Sequence, residues 1–374
     1  MRLVVLAHDK FDPRNAKTAH AVVKYAREGW SGDEVVAVVD RQKAGRDASE
    51  FVGAVGKGIP VVATVRETLP LRPDAVVIGI APVGGALPQD WTADIEAALS
   101  SGVRVISGLH TSVARDPRFA RWAHLVQDVR HQHPPQRITT GEGVGVEALV
   151  VTAVGTDCSS GKMTAAIELT KEARRRGLKA AFVATGQTGI MVGCDAGAPL
   201  DALVSDFVAG AMEECVLKAY DKARPDVIFV EGQGSLTHPA YSGVTASLLH
   251  GSFPDVLLMC DEPRRELVTM PGPLKFVKPS PARERVLNEA HLAPTTQARV
   301  GAAALMTRGL SQEEYLAERD VVERELGVPA GDVFRGDAAR VLDGILAEAR
   351  RRGLWDDKGF VRGVKAARLA KGVV

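Results

Sequence analysis

The segment at residues 150–164, VVTAVGTDCSSGKMT, leads an apolar strand pattern into a loop bounded by two glycines, followed by a lysine and a helical pattern. Gly155 and Gly161 allow the backbone to fold back so that successive N–H groups point inward. Lys162 adds a positive charge at the start of a helix, where the N-terminus already favours an anion. This order of features predicts a loop that binds a polyphosphate.

The loop departs from the usual Walker A pattern, because five residues separate Gly155 from Gly161, one more than usual. The hydroxyl that would bind Mg²⁺ is therefore one place late, at Thr164. An ordinary strand-to-helix turn is the alternative, but the full order of strand, loop, lysine, hydroxyl and helix favours phosphate binding. We interpret Cys158 as a loop-filling residue rather than a nucleophile, because a polyphosphate would compete for the same electropositive space. The predicted cofactor-binding residues are Gly155, Thr156, Asp157, Cys158, Ser159, Ser160, Gly161, Lys162, Met163 and Thr164.

The composition limits the classes of protein to which the chain can belong. Its 374 residues, 45% hydrophobic and 25% charged, are enough for two packed domains. The 47 Lys and Arg residues balance 46 Asp and Glu residues, so no strong positive field attracts nucleic acid. The first residues are too soon interrupted by charge for a secretory signal, and no apolar run suits a membrane span. We expect a cytoplasmic homo-oligomer with a small-molecule partner, and neither nucleic acid nor membrane as partner.

Alternating strand and helix patterns predict an α/β protein with two parallel-sheet domains. Residues 1–133 are assigned to a Rossmann-like domain, 134–147 to a linker rich in proline and glycine, and 148–374 to a P-loop domain. The first domain lacks the Gly-x-Gly-x-x-Gly fingerprint after its first strand, so we do not predict NAD binding, although Asp40 ends strand two. Its loops at residues 12–18, with Arg14, and 82–85, with Gly84, are candidate ligand loops at the strand ends.

A strand pattern at 227–230 delivers Glu231 to the sheet edge at which the phosphate loop lies. A buried carboxylate there requires a partner, and Mg²⁺ held by Thr164, Glu231 and Asp206 would supply one. Helix capping is the alternative for Asp206, and a turn acid is the alternative for Glu231. His238 is a candidate for proton transfer or carbonyl polarisation, although a lone histidine is usually structural. The predicted catalytic residues are Lys162, Glu231 and His238.

Two further glycine-rich clusters follow predicted strands and are candidate binding loops for a small anionic substrate. One is ATGQTGIMVG at 184–193, and the other is EGQGS at 231–235. Ordinary turns contain the same residue types, and His250 also suits a helix packed in the core. The predicted substrate-binding residues are Thr185, Gly186, Gln187, Thr188, Gly189, Gln233, Gly234, Ser235 and His250.

The motifs GTDCSSGKMT, ATGQTGIMVG, DFVAGAMEE, EGQGSLTHPAYSGVTASLLHGS and CDEP together closely resemble the D-glutamate N-acetyltransferase family. Its members combine a Rossmann-like N-terminal domain with a P-loop C-terminal domain. The resemblance covers nearly the whole chain. It implies an enzyme that acylates the amino group of a small acidic amino acid such as D-glutamate, with acetyl-CoA as donor.

The phosphate loop and the Glu231 turn are also similar to those of dethiobiotin synthetase, an ATP-dependent and Mg²⁺-dependent ligase. That similarity implies an acyl phosphate that an amine captures, with ATP held by Lys162 and Mg²⁺ by Thr164 and Glu231. The ligase relatives use an asparagine to contact adenine, where this chain has Met306 and Thr307. Both interpretations end in an amide at a small amino acid, and the cofactor is ATP with Mg²⁺ or acetyl-CoA. A nucleotide-sensing protein without catalysis is a more remote alternative.

Overall fold

A computed structural model describes residues 1–12, 16–80, 85–132, 136–270 and 272–366. The chain forms two compact units, one comprising Met1–His133 with Gln187–Gly193 and the other Pro134–Gly186 with Cys194–Val374. The division predicted from the sequence was contiguous and did not assign 187–193 to the first unit. Arg14 and Gly84, the residues named for the two candidate ligand loops of the first domain, lie outside the described residues.

The first unit is built on a six-stranded parallel sheet in the order β3-β2-β1-β4-β5-β6. Runs of Val and Ile form its central strands because both faces of a parallel sheet are covered. Its strands are β1 (Arg2–Leu6), β2 (Glu34–Val39), β3 (Val61–Val62), β4 (Ala75–Ile78), β5 (Arg104–Ser107) and β6 (Val126–Asp128). The α-helices of this unit that lie between its strands are α1 (Lys17–Arg27), α2 (Ser49–Val52) and α3 (Thr92–Ser100).

Asp40 directly follows β2, and its fully buried carboxylate accepts hydrogen bonds from backbone groups of the first unit. Its carboxylate accepts hydrogen bonds from the N–H groups of Asp9, Phe11 and Gln42 and from Lys43 Nζ. These contacts close the loop that follows β1. They give Asp40 a structural role at the place where a ribose-binding acid lies in dinucleotide-binding folds.

The second unit is built on a seven-stranded parallel sheet in the order β13-β12-β11-β7-β10-β8-β9. The sheet strands are β7 (Leu149–Gly155), β8 (Ala180–Ala184), β9 (Ala196–Gly197), β10 (Val227–Val230), β11 (Val256–Asp261), β12 (Arg299–Leu305) and β13 (Ala330–Gly331). The strands β14 (Trp355–Asp356) and β15 (Gly359–Phe360) form a separate antiparallel pair. The α/β fold class with two parallel sheets is confirmed.

The helices of the second unit's chain segments cover both faces of this sheet. They are α4 (Lys162–Arg175), α6 (Ser205–Ala223), α7 (Ser242–Ser252), α8 (Pro281–Leu292), α9 (Gln312–Leu326) and α10 (Ala338–Arg351). All seven residues of β7 are buried, and its two neighbours are β10 and β11. Because the strands are parallel, the loops after β7, β10 and β11 emerge at one edge of the sheet.

One predicted loop is a helix. The ATGQTGIMVG segment forms α5 (Gln187–Val192), which packs within the first unit. Gln187 accepts a hydrogen bond from Arg130 at 2.7 Å, and the hydroxyls of Thr188 and Thr18 lie 2.7 Å apart. Glycines and hydroxyls in the sequence indicated a turn, whereas packing against α1 stabilises a helix here.

The described part of the predicted linker, residues 136–147, is tied to α6 by a buried carboxylate. Glu213 accepts hydrogen bonds from the backbone N–H groups of Thr140 and Gly143, at 2.8 and 3.0 Å, and from the Thr139 hydroxyl at 3.0 Å. The segment is therefore part of the packed second unit. None of the helices in the described ranges combines the length and apolarity that a membrane crossing requires.

Candidate functional site

The loop after β7 folds around the ammonium group of Lys162. Lys162 Nζ donates to the carbonyl oxygen of Asp157 at 2.7 Å and to Ser160 Oγ at 3.2 Å. Gly161 adopts the left-handed conformation, with φ at 92°, and α4 begins immediately after it. Burial lowers the pKa of Lys162, because its carbonyl and hydroxyl partners do not compensate for the lost hydration of the ammonium group. This geometry suits an anionic ligand.

The Glu231 side chain lies at the end of β10, inside the same edge of the sheet. Its Oε2 accepts hydrogen bonds from the backbone N–H groups of Thr185 and Gly186, at 3.0 and 3.3 Å. Burial nevertheless raises the pKa of Glu231 to about 7, and the charge of Lys162 opposes that rise. Glu231 is thus a carboxyl group that can hold or release a proton near neutral pH.

At Gly232, the turn after Glu231 packs closely against the backbone of β7 and the side chain of Lys162. A Cβ atom at position 232 would lie 1.8 Å from the Ala153 carbonyl oxygen and 2.8 Å from Lys162 Cδ. Gln233 donates to the Thr185 hydroxyl at 3.0 Å, which ties this turn to the loop after β8. The glycine is therefore required for Glu231 and Lys162 to share one site.

Ser235, a predicted substrate-binding residue, is buried beyond this turn. Its hydroxyl oxygen has no hydrogen-bond partner among the residues that the structure describes. Gly234 precedes it in the left-handed conformation, with φ at 52°, and packs against Tyr241 and Thr245. An unsatisfied buried hydroxyl favours a polar ligand or water at this point.

Sequence reasoning missed Asp261 and Lys278. Asp261 ends β11 on the other side of β7, and its Oδ1 accepts from the Thr156 hydroxyl and from Lys278 Nζ. Both ionic side chains are almost fully buried. In the sequence, the only indication of this ion pair was the acid of the CDEP motif, at the end of an apolar run. Its lysine partner lies 17 residues away, in a stretch with no regular period.

Arg265 was also missed, and it covers the phosphate loop. Its guanidinium donates to the Asp157 carboxylate at 2.8 Å and to the Cys158 carbonyl oxygen at 2.6 Å. The backbone N–H of Thr269 donates to the same carboxylate at 2.8 Å. Burial alone would raise the pKa of Asp157, but the hydrogen bonds from Thr269 and Arg265 hold it below the usual value. The loop is thus closed by an ion pair.

His238, whose proton-transfer role stays a prediction, is buried with its Nε2 3.5 Å from the Asp157 carboxylate. Its Nε2 donates to the carbonyl oxygen of Thr269 at 3.1 Å, and its Nδ1 accepts from the backbone N–H of Ala240 at 3.1 Å. Both nitrogens are therefore occupied by backbone groups, which is typical of a structural histidine.

Ligand atoms of His238, Asp157 and Cys158 lie within 4.8 Å of one another, so the three side chains are close enough to share a metal ion. The Asp157 carboxylate is already bound by Arg265 and Thr269, and both His238 nitrogens have partners. This cluster therefore does not suit a metal. Cys158 is half-buried in the loop, and its predicted role as a filling residue stays a prediction.

The predicted metal site of Thr164, Asp206 and Glu231 stays a prediction. Thr164 is half-buried in the first turn of α4, and Asp206 is exposed in the first turn of α6. Asp206 does not cap the helix, since the N-cap of α6 is Val204 and no side chain of the described residues caps it, but an acid in a first turn interacts favourably with the helix dipole.

His250 lies in the last turn of α7, with its ring centroid 4.4 Å from that of His291. Because α7 returns toward the start of β11, this end lies at the sheet edge opposite the phosphate loop. His250 is therefore removed from the candidate site. Of the other predicted substrate residues, Thr185 and Gly186 contact Glu231, whereas Gln187, Thr188 and Gly189 belong to the first unit.

Comparison with known proteins gives the same two-part organisation. Residues 137–342 match the model of the P-loop domain of unknown function DUF1611_C, and residues 41–132 match that of the Rossmann-like domain DUF1611_N. A solved structure of a DUF1611 family protein from Anabaena variabilis is 32% identical, with a TM-score of 0.84. The match covers 92% of this chain and 99% of that one.

Two curated relatives carry the name D-glutamate N-acetyltransferase. The protein from Tritonibacter scottomollicae is 37% identical over 76% of this chain and 84% of its own length. The protein from a Pseudoalteromonas species is 32% identical over 76% of this chain and 83% of its own length. The resemblance drawn from the motifs is confirmed. This chain belongs to the DUF1611 family of proteins with a Rossmann-like and a P-loop domain.

Proposed function

We propose that this chain is an enzyme that transfers an acetyl group to the amino nitrogen of a small acidic amino acid, with D-glutamate as the substrate class. The observation that carries the proposal is the identity of 37% and 32% to two relatives named D-glutamate N-acetyltransferase, across three quarters of the chain. The Lys162 and Glu231 side chains that we assign to the reaction lie within the matched P-loop domain.

The phosphate loop supplies the binding site for the donor. The Lys162 ammonium and the N-terminus of α4 fit the phosphates of coenzyme A. An acetyl thioester of that coenzyme offers an activated carbonyl carbon, to which the amine bonds as the thiol departs. The loop thereby positions the donor through its phosphates.

Glu231 supplies the base. An amino acid is an ammonium ion near neutral pH and must lose a proton before its nitrogen can form the amide. A carboxylate whose pKa is raised by burial to about 7 is matched to that proton transfer. Glu231 takes the ammonium proton before the amine attacks, and the second proton, which the nitrogen loses as the amide forms, passes through solvent to the departing thiolate.

Glu231 and Asp261, the carboxylates that end β10 and β11, favour a second candidate function. They border the loop on both sides, as acids do in phosphate-loop enzymes that use ATP. In that case a substrate carboxylate is phosphorylated, and the amine displaces the phosphate to give the same amide. The two candidates differ in donor and by-product.

The test separates them by product. Purified protein is incubated with D-glutamate, L-glutamate or D-aspartate, together with acetyl-CoA or with acetate, ATP and Mg²⁺. We expect thiol release that requires acetyl-CoA and D-glutamate, with N-acetylglutamate identified by mass. Lys162→Ala should abolish it, and Lys179→Ala, which changes an exposed lysine, should not. Amino-acid-dependent ADP release without thiol release would replace the proposal with the ligase.

A further inference from the structure

The Lys278 ammonium neutralises a buried acid, Asp261, at the edge of the phosphate loop. Nζ is 2.5 Å from Asp261 Oδ1, and the two side chains are 7% and 2% exposed. The same carboxylate oxygen accepts a hydrogen bond from the hydroxyl of Thr156, which lies in the phosphate loop. Asp261 ends β11, one of the two strands beside β7, and Glu231 follows β10, the other. An acid at this edge of the sheet could hold the Mg²⁺ of a phosphate-loop enzyme. Here a lysine neutralises Asp261.

The other carboxylates around the loop are engaged as well. Arg265 and the Thr269 backbone hold Asp157, and two backbone N–H groups hold Oε2 of Glu231. Arg265 and Lys278 therefore neutralise Asp157 and Asp261, whereas the hydrogen bonds to Glu231 come from neutral backbone groups. Mg²⁺ could reach Asp261 only by displacing Lys278, which would leave a buried ammonium without its partner.

We infer that the anionic ligand of this phosphate loop binds without a divalent metal, and that Lys278, paired with Asp261 beside the loop, supplies positive charge instead. The inference rests on the proposed function only in taking a phosphate-bearing ligand for the loop. It deepens that function by naming the ligand class as a metal-free polyphosphate ester such as coenzyme A. A ligand that arrives as a tight Mg²⁺ complex fits this site poorly.

Binding rather than activity tests the inference. The affinity of the full-length protein for coenzyme A and for ATP is measured by calorimetry, once in EDTA and once in excess MgCl₂. We expect coenzyme A to bind equally well in both buffers. Lys278→Ala should weaken that binding in EDTA by about tenfold to a hundredfold, the effect of one charge-assisted hydrogen bond. Because Asp261 is then free, Mg²⁺ should restore part of the affinity.

Lys275→Ala is the matched control, since Lys275 is an exposed lysine three residues earlier in the chain. Its affinity should equal that of the unchanged protein. If Lys278→Ala fails to fold, the Lys278→Met and Asp261→Asn double variant removes both charges and should show the same loss in EDTA.

Binding of either ligand that needs Mg²⁺ in the unchanged protein would overturn the inference and leave the phosphate site intact. Unaltered affinity in a folded Lys278 variant would also overturn it. If neither ligand binds in either buffer, the proposed function fails, and the inference fails with it.

Discussion

Oε2 of Glu231 accepts a hydrogen bond from the backbone N–H of Thr185 at 3.0 Å, within a buried environment. The Thr185 hydroxyl in turn donates to the Glu231 carbonyl oxygen at 2.9 Å. The end of β10 and the loop after β8 are thus joined through both the backbone and the side chain of one acid. Although these bonds favour the carboxylate, burial raises its pKa to about 7.

Replacing Glu231 by Gln should change stability in a pH-dependent way. The folded pKa is raised from 4.5 to about 7, so the proton bound by Glu231 stabilises the fold at low pH. That stabilisation is complete below the unfolded value and is lost as the pH rises through the folded value. Glu231→Gln should therefore be more stable than the unchanged protein by on the order of 3 kcal/mol near pH 8, and by little near pH 5.

Urea unfolding at a series of pH values measures this difference. Glu266→Gln, which changes an exposed acid, should give a stability difference that is constant across the same range. A Glu231→Gln difference that is equally constant would show that Glu231 does not titrate in this window. The same substitution should remove most of the acetyl transfer, because an amide cannot accept the amine proton.

Adding a methyl group at Gly232 should be severely destabilising. The new Cβ would meet the Ala153 carbonyl oxygen at 1.8 Å, and a backbone atom within β7 cannot rotate away. We expect Gly232→Ala to lower the free energy of unfolding by roughly 3 kcal/mol or more, as overpacking against rigid backbone does. Gly243→Ala, in α7 with open space around it, should be neutral or slightly stabilising. Comparable denaturation midpoints for the two variants would contradict the close approach.

Local sequence patterns were sufficient to predict the strands that support the site. The strand predicted before the 184–193 cluster is β8, and the strand pattern at 227–230 is β10. Such runs are unambiguous because a buried parallel strand accepts little except apolar and β-branched residues. Helix α5 and the short strand β6 were missed, since tertiary packing rather than local propensity stabilises them.

The site was predictable only where the chain is contiguous. The loop from Gly155 to Thr164 and the Glu231 residue directly follow strands. Their sequence positions alone therefore place them at the sheet edge that carries the candidate site. Arg265 and Lys278 reach the loop from an irregular stretch more than a hundred residues after it. No periodic pattern in the sequence predicts such contacts, because they depend on the path of a long irregular segment through the folded protein.

The ion pair that covers the loop should be important for stability. Arg265→Ala removes the guanidinium that pairs with the buried Asp157 carboxylate, and breaking a buried pair from one side costs about 3 kcal/mol or more. Arg264→Ala is the control, because Arg264 is half exposed and pairs with Glu314 and Glu318 at the surface. It should cost at most about 1 kcal/mol. Equal unfolding free energies for the two variants would show that Arg265 does not secure the loop.

Glu213 should hold residues 136–147 against α6 in a pH-dependent manner. Burial alone would raise its pKa, but the backbone N–H groups of Gly143 and Thr140 outweigh burial and hold the pKa below 4.5. Its stabilisation is therefore present above the unfolded value and is lost as the pH falls through the folded value.

Glu213→Ala should remove this stabilisation at neutral pH, lowering the free energy of unfolding by about 2 to 3 kcal/mol because buried donors lose their acceptor. It should also open the segment to proteolysis, and limited digestion followed by mass spectrometry locates the cut. Glu214→Ala, which removes an acid paired with the exposed Lys218, should leave the segment protected. If both variants are cut at the same rate, Glu213 is not what fastens the segment to the helix.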